Sequence, residues 1–340
     1  MSSGYRVEFK LPSDPRGLRT VHDDVVTILD HALGSAVPGG EVLHAVDPKR
    51  ILTFAFGGPP VWSVAVVTHP SGVHQFLTYG LSKALDPAQP FGFELTMRVR
   101  SPGEPPSWPT LLLRHVARYQ LSSGREIKPG ESWCLGGPIS RSAVPRENQH
   151  LLPDTRMDTV FVAAGPTLPT PRGPVEIRNL VGLDPSELEL LETSRTARFL
   201  EELRRVDPSL TVDLDSPSLA DNPAFRGAIE ASSQREGGDC KAYCIPGFSW
   251  RDDGSAFSID IPAAGAAGLR RRLDARLPFG EALLVHGTDP GPGSEVLIVP
   301  GEGLDVPQHD AERLVLVMSA SSPQLQFLRS EAAVWTLRYA

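Results

Sequence analysis

Cysteine is scarce in this chain, and what little there is excludes a scaffold built on disulfides. Three cysteines in 340 residues, Cys134, Cys240 and Cys244, cannot frame a domain of this size. The Cys240/Cys244 pair has no neighbouring His or further Cys, so it makes a poor zinc site. No run of 18 apolar residues occurs, and MSSGYRVEFK lacks an apolar stretch behind a basic start, so the expected location is cytoplasmic, with no membrane partner. Positive charge is in deficit: the net charge of −8 argues against nucleic acid as the main partner. Signatures of catalysis are also missing. The chain holds no G-x4-G-K-[ST] phosphate loop, no G-x-S-x-G elbow and no H-E-x-x-H. Gly287–Ser294 is glycine-rich but has no lysine, and reads as a turn between strands. His69 and His74 flank a turn without further ligands beside them, and the Asp154/Arg156/Asp158 group reads as a solvated mixed-sign loop. The expectation is a non-enzymatic protein that needs no metal and no cofactor.

What is present suits a soluble globular protein with a large core: 40% of residues are hydrophobic and 22% charged. Asp23–Leu33 has the spacing of a short amphipathic helix, and Arg50–Phe56, Val61–Thr68 and Val73–Tyr79 read as strands. In Phe91–Val99 apolar and polar residues alternate, which predicts a strand with one apolar and one wet face. After a Pro-rich turn, Trp108-Pro109 opens a helix with proline in the first turn, where its missing N–H is harmless. Leu112, Val116 and Tyr119 share a face of that helix by spacing.

Strands are expected at Asp158–Ala164 and Val175–Val181. A helix follows at Pro185–Val206, capped by Asp184 with Glu187 at its third position. A short strand at Leu210–Asp215 and a helix at Pro223–Ala231 complete the N-terminal part. Ala231–Lys241 is small, polar and aperiodic, which marks it as a linker. Beyond it the pattern restarts with strands at Ala256–Ile261, Ala282–His286, Glu295–Pro300 and Arg313–Ser319, and helices at Ala266–Leu277 and Pro323–Leu337. The fold class is therefore α+β, in two lobes that each pack helices on a mixed sheet: residues 1–232, a linker at 233–242, and a smaller lobe at 243–340.

Four blocks of sequence carry a resemblance. They are Thr68–Ser82 (THPSGVHQFLTYGLS), the FGFELTMR and SWP…VARY segments within Pro90–Tyr119, His150–Asp158 (HLLPDTRMD) and Pro171–Glu189 (PRGPVEIRNLVGLDPSELE). In this order they resemble the Suppressor of fused family, and an excess of arginine over lysine suits a bacterial-type member without the long insertion of animal ones. The resemblance implies two lobes and a protein partner. Animal members hold an extended segment of a transcription factor between their lobes, with partner side chains entering pockets beside an added strand. By position, the family's contact tyrosine falls on Tyr119 and its contact aspartate on Glu131. Bacterial members are regarded as immunity proteins that neutralise toxins of polymorphic toxin systems, which is the first expectation for this chain. The alternative is a regulatory module that sequesters a transcription factor or signalling protein.

Overall fold

The computed structural model describes residues 41–43, 63–69, 71–79, 81–82, 92–123, 126–169, 174–254, 256–288, 293–302, 304–309, 313–322, 325 and 333–338. The helix expected at Asp23–Leu33 and the strand expected at Arg50–Phe56 lie outside them. Two compact units emerge. One runs up to Pro185 and includes Asp207–Pro217; the other joins Ser186–Val206 to the residues from Ser218 onward.

The first unit is built on an eight-stranded mixed sheet. Its strands are β1 (Glu41–Leu43), β2 (Ser63–Thr68), β3 (Val73–Tyr79), β4 (Phe93–Arg100), β5 (Ser132–Cys134), β6 (Thr159–Leu168), β7 (Val175–Leu183) and β8 (Thr211–Val212). Their spatial order is β1-β2-β3-β4-β7-β6-β5, with β8 beside β4. β4 sits centrally and pairs antiparallel with β3 and parallel with β7. Helix α1 (Trp108–Ser123) covers one face. There Trp108, Leu112 and Val116 pack with Phe93, Leu95, Met97 and Val99, all essentially buried. The other face of β4, expected to be wet, is buried too: Glu94 is 0% exposed and Thr96 4%. A central strand can carry polar residues inward only if they are hydrogen-bonded, and these are. The Thr96 hydroxyl donates to the Phe76 carbonyl at 2.7 Å, and Gln75 Nε2 donates to Thr96 Oγ1 at 3.2 Å.

Glu94 gathers four donors. Its Oε2 accepts from the Thr78 hydroxyl (2.7 Å) and the Leu81 N–H (3.3 Å), and its Oε1 accepts from the Ser82 N–H (3.0 Å) and hydroxyl (2.6 Å). The carboxylate thereby ties the segment after β3 to the centre of the sheet.

The second unit holds α2 (Pro185–Thr193, whose first residue belongs to the first unit), α3 (Thr196–Val206), α4 (Pro223–Glu236) and α5 (Ala263–Asp274). A five-stranded sheet in the order β14-β15-β13-β12-β9 contains β9 (Ala242–Cys244), β12 (Leu283–His286), β13 (Glu295–Pro300), β14 (Leu304–His309) and β15 (Arg313–Met318). A three-stranded sheet places β11 (Ala256–Ile261) between β10 (Ser249–Asp252) and β16 (Ala333–Arg338). Leu269 and Leu273 of α5 share a core with Ile259, Val285, Ile298 and Leu316.

Three differences from the sequence reading have physical causes. The helix expected at Pro185–Val206 is two helices, because Asp239 Oδ2 accepts from the Thr196 N–H at 2.8 Å and so caps the start of α3 from a distant part of the chain. Residues expected as a linker continue α4 to Glu236. The glycines that follow are there for close packing, not for slack: Gly237 has φ +74°, and a Cβ on it would lie 2.7 Å from the Ala275 carbonyl oxygen. The helix expected at Pro323–Leu337 gives way to β16 over its last residues. There Ala333 and Trp335 are buried while Val334 is exposed, the two-residue alternation of a strand, and the strand pairs in register with β11.

Candidate functional site

Residues with catalytic potential are spread out and engaged. His69 lies in a turn, where its Nδ1 accepts from the Ser71 N–H. His74 is not a turn residue but a fully buried one on β3, with Nδ1 against the Thr68 hydroxyl (3.0 Å) and Nε2 against the Ser101 carbonyl (3.1 Å). A ring nitrogen facing a carbonyl must be the donor, so both nitrogens are occupied in holding a loop. Burial pushes the thiols of Cys240 and Cys244 up, which keeps them protonated and weakly nucleophilic. Among the described residues no group of three or more His, Cys, Asp or Glu side chains comes together as metal ligands would, and no helix is long and apolar enough to cross a membrane.

The position of Tyr119 is of a different kind. Spacing puts it on the α1 face that carries Leu112 and Val116, yet those two are buried while Tyr119 keeps 37% of its surface exposed. Its ring packs on Trp133 of β5, with centroids 4.4 Å apart, and His115 stacks on the same indole at 5.9 Å. Trp133 stands opposite Val160, a member of the core under α1, so the indole lies on the α1 face of the sheet. Ser132 and Cys134 are exposed. Among the described residues β5 pairs with β6 alone, so its far side has no strand beside it.

Glu131 immediately precedes β5. Its Oε2 accepts from the Lys128 N–H at 3.2 Å, and its own N–H donates to the Lys128 carbonyl at 3.1 Å, closing the Lys128–Glu131 turn. The Gly130 N–H donates to the Val162 carbonyl (2.8 Å), and the Val162 N–H donates to the Glu131 carbonyl (2.9 Å). Of the two sequence-selected residues, Tyr119 packs on Trp133, whereas Glu131 stands two residues before that tryptophan in the chain and bonds within its own turn and to Val162. Sequence reasoning missed both Trp133 as a site residue and β5 as a strand. Three residues between turns show no periodicity, and a tryptophan in a polar setting was the one available signal.

Arg178 anchors this corner. Its guanidinium lies 3.8 Å over the Phe93 ring, Nη1 donates to the Ile127 carbonyl at 2.9 Å, and Nη2 donates to Glu126 (2.6 Å) and Glu176 (2.8 Å). One buried fork therefore pins the connection from α1 to β5. Arg178→Met keeps the apolar contact and removes the donors. It is expected to cost about 1–3 kcal/mol of stability and to speed amide exchange at Gly130 and Val162, as measured by hydrogen-exchange NMR. Unchanged exchange there would show that the turn holds without the fork.

Residues 57–215 match the model of the Suppressor of fused protein family, SUFU. The chain carries a Suppressor of fused domain. Over 119 residues, 34% of this chain, it is 33% identical to the Suppressor of fused homologs of Homo sapiens and Mus musculus. That stretch spans only 23% of the length of those relatives. The crystal structure of Drosophila Suppressor of Fused superposes with a TM-score of 0.62 at 15% identity, covering 90% of this chain and 88% of the other. The shared fold thus extends well beyond the Suppressor of fused domain itself. α1, β5, Tyr119, Trp133 and Glu131 all lie inside that domain.

Proposed function

We propose that the chain binds a protein partner without chemistry, by taking an extended segment of it along the free edge of β5. In the cytoplasm of a producing bacterium that partner is a toxin domain of a polymorphic toxin system, and the chain is its immunity protein. The observation that carries the binding reading is the indole of Trp133, placed on a strand that among the described residues is paired on one side only, and flanked by Tyr119 and His115. An added strand would form main-chain hydrogen bonds to the edge and lay alternate side chains over these rings. Half-exposed aromatic rings offer large apolar area at little entropic cost, the usual make-up of a binding hot spot. The immunity role rests on the family resemblance together with the excess of arginine over lysine, which suits a bacterial-type member.

The test is co-purification with the product of the adjacent gene, growth rescue beside it, and affinity of two variants. Tyr119→Ala is expected to lose about 2 kcal/mol or more of partner affinity. Glu131→Gln keeps an acceptor for the Lys128 N–H and removes only the charge, so its expected effect is a slower association rate with little change in dissociation. Thermal unfolding is followed alongside. Two variants that bind like wild type, or a Tyr119→Ala loss no greater than its unfolding explains, would overturn the edge-binding reading. Failure to rescue growth would remove the immunity role alone.

A further inference from the structure

The ladder between β5 and β6 fixes which main-chain groups of β5 are already engaged. The Glu131 carbonyl accepts from the Val162 N–H, and the Leu135 N–H donates to the Asp158 carbonyl. Between them Ser132 stands opposite Phe161, Trp133 opposite Val160 and Cys134 opposite Thr159. Along an antiparallel pair the bonding residues alternate with non-bonding ones. Trp133, like Glu131 and Leu135, therefore turns its main-chain groups toward β6, and Ser132 and Cys134 turn theirs the other way. Among the described residues no strand meets that side.

The extended stretch is short, and that decides the direction of an incoming strand. Glu131 still belongs to the Lys128–Glu131 turn, and Gly136, with φ +70°, leaves the strand just beyond Leu135. An antiparallel strand reaches both the N–H and the carbonyl of Ser132 and of Cys134 with about three residues, whereas a parallel one spreads the same bonds over about five. The antiparallel register has a second consequence. The ligand residue opposite Trp133 falls in the non-hydrogen-bonded pair, where side chains stand closest, and it shares the α1 face with the Trp133 and Tyr119 rings. Its two neighbours point to the other face, beside the small exposed side chains of Ser132 and Cys134.

We infer that the β5 edge takes its partner segment antiparallel, with Ser132 and Cys134 as the main-chain binding residues and a single large apolar side chain anchored on Trp133 and Tyr119. This rests on the strand-edge reading above and adds to it the register and the chemistry of the ligand. The anchor residue's own N–H and carbonyl face away from β5, so proline or an N-methylated residue is accepted there. The residue on either side of the anchor must donate its N–H to β5, so the same changes are rejected at those two positions. Their side chains meet neither a pocket wall nor a charge on Ser132 and Cys134, so they are otherwise unrestricted.

Selection of peptides from a displayed random library against the whole chain supplies the probe and requires no identified partner. Winning peptides are synthesised, N-methylated one residue at a time, and titrated into wild type, Tyr119→Ala and Ser132→Pro. The expected winners share one large apolar residue, tolerate N-methylation there, and lose roughly tenfold or more in affinity when either neighbour is methylated. Ser132→Pro removes an edge N–H and no bond to β6, so it is expected to weaken them by a similar factor. Hydrogen-exchange NMR on the wild type checks the register without any substitution: the Ser132 and Cys134 amides should slow on binding, while those of Trp133 and Leu135 are slow already. A loss on methylating the anchor but not its neighbours would overturn the antiparallel register and leave the edge reading standing. Winners indifferent to Tyr119→Ala that leave the Ser132 and Cys134 amides unprotected, or no winners at all, would overturn both.

Discussion

Glu94→Ala is expected to destabilise the chain by about 3–5 kcal/mol in urea unfolding. The cost comes from what is left behind more than from what is removed. The carboxylate is fully buried and accepts from Thr78, Leu81 and Ser82 through four hydrogen bonds. Each charge-assisted bond of this kind contributes roughly 1.5–3 kcal/mol, and each buried donor stranded by its loss costs about 1–3 kcal/mol. Partial relaxation and entry of water keep the sum well below four full terms. Glu94→Gln separates size from charge: its amide retains one acceptor oxygen but turns a donor toward the remaining N–H and O–H groups, so an intermediate loss is expected. A loss below about 1 kcal/mol for the alanine variant would show that the segment after β3 finds other partners. The effect should be confined to stability, because Glu94 lies on the sheet face away from α1 and Trp133.

A second large effect is expected in the other unit, and it is asymmetric. Arg272 of α5 is buried against the Tyr243 ring, 3.8 Å from its centroid, and pairs with Glu192 of α2. Burial pulls the guanidinium down to about 10, and the Glu189 carboxylate offsets only part of that. It therefore remains a cation at neutral pH in both the folded and the unfolded chain. Removing one partner of a buried pair strands the other charge, so Glu192→Ala is expected to cost about 3–5 kcal/mol. Arg272→Met fills the same space over Tyr243 and strands nothing buried, since Glu192 is partly exposed. It is expected to be near neutral, and the double variant should then resemble Arg272→Met alone. The pH dependence has a definite sign. Below about pH 10 both states carry the proton and the burial penalty is present in full. Above it the folded state gives up the proton before the unfolded state does, so this group favours folding increasingly with pH. Equal losses for Glu192→Ala and Arg272→Met would contradict the asymmetry and place the stabilisation in the pair itself.

The amino-acid sequence by itself determined the local elements with strong periodicity or strong punctuation. Ala256–Ile261 and Glu295–Pro300 are strands at those bounds because β-branched and aromatic residues are fenced by Pro and Gly. α1 begins at Trp108 because proline at the second position can only start a helix. The Suppressor of fused likeness and the α+β class were legible for the same reason: motif residues and periodicity are local, and both survive without knowing what packs on what.

What only the tertiary structure decided is every feature that depends on a partner far along the chain. A single long helix became α2 and α3 because Asp239 reaches back to cap Thr196. A glycine-containing stretch that reads as slack is packed so closely that a side chain would collide with Ala275. The polar face of β4 is buried because β3 supplies the hydrogen bonds that make burial affordable. The candidate site belongs to this second class. Tyr119 could be named from sequence, but its half-exposed setting exists only because a three-residue strand without periodicity brings Trp133 to it. Side-chain spacing along a helix says which residues share a face. Which neighbour meets that face is settled by strand order, and strand order is set by pairings that span many tens of residues.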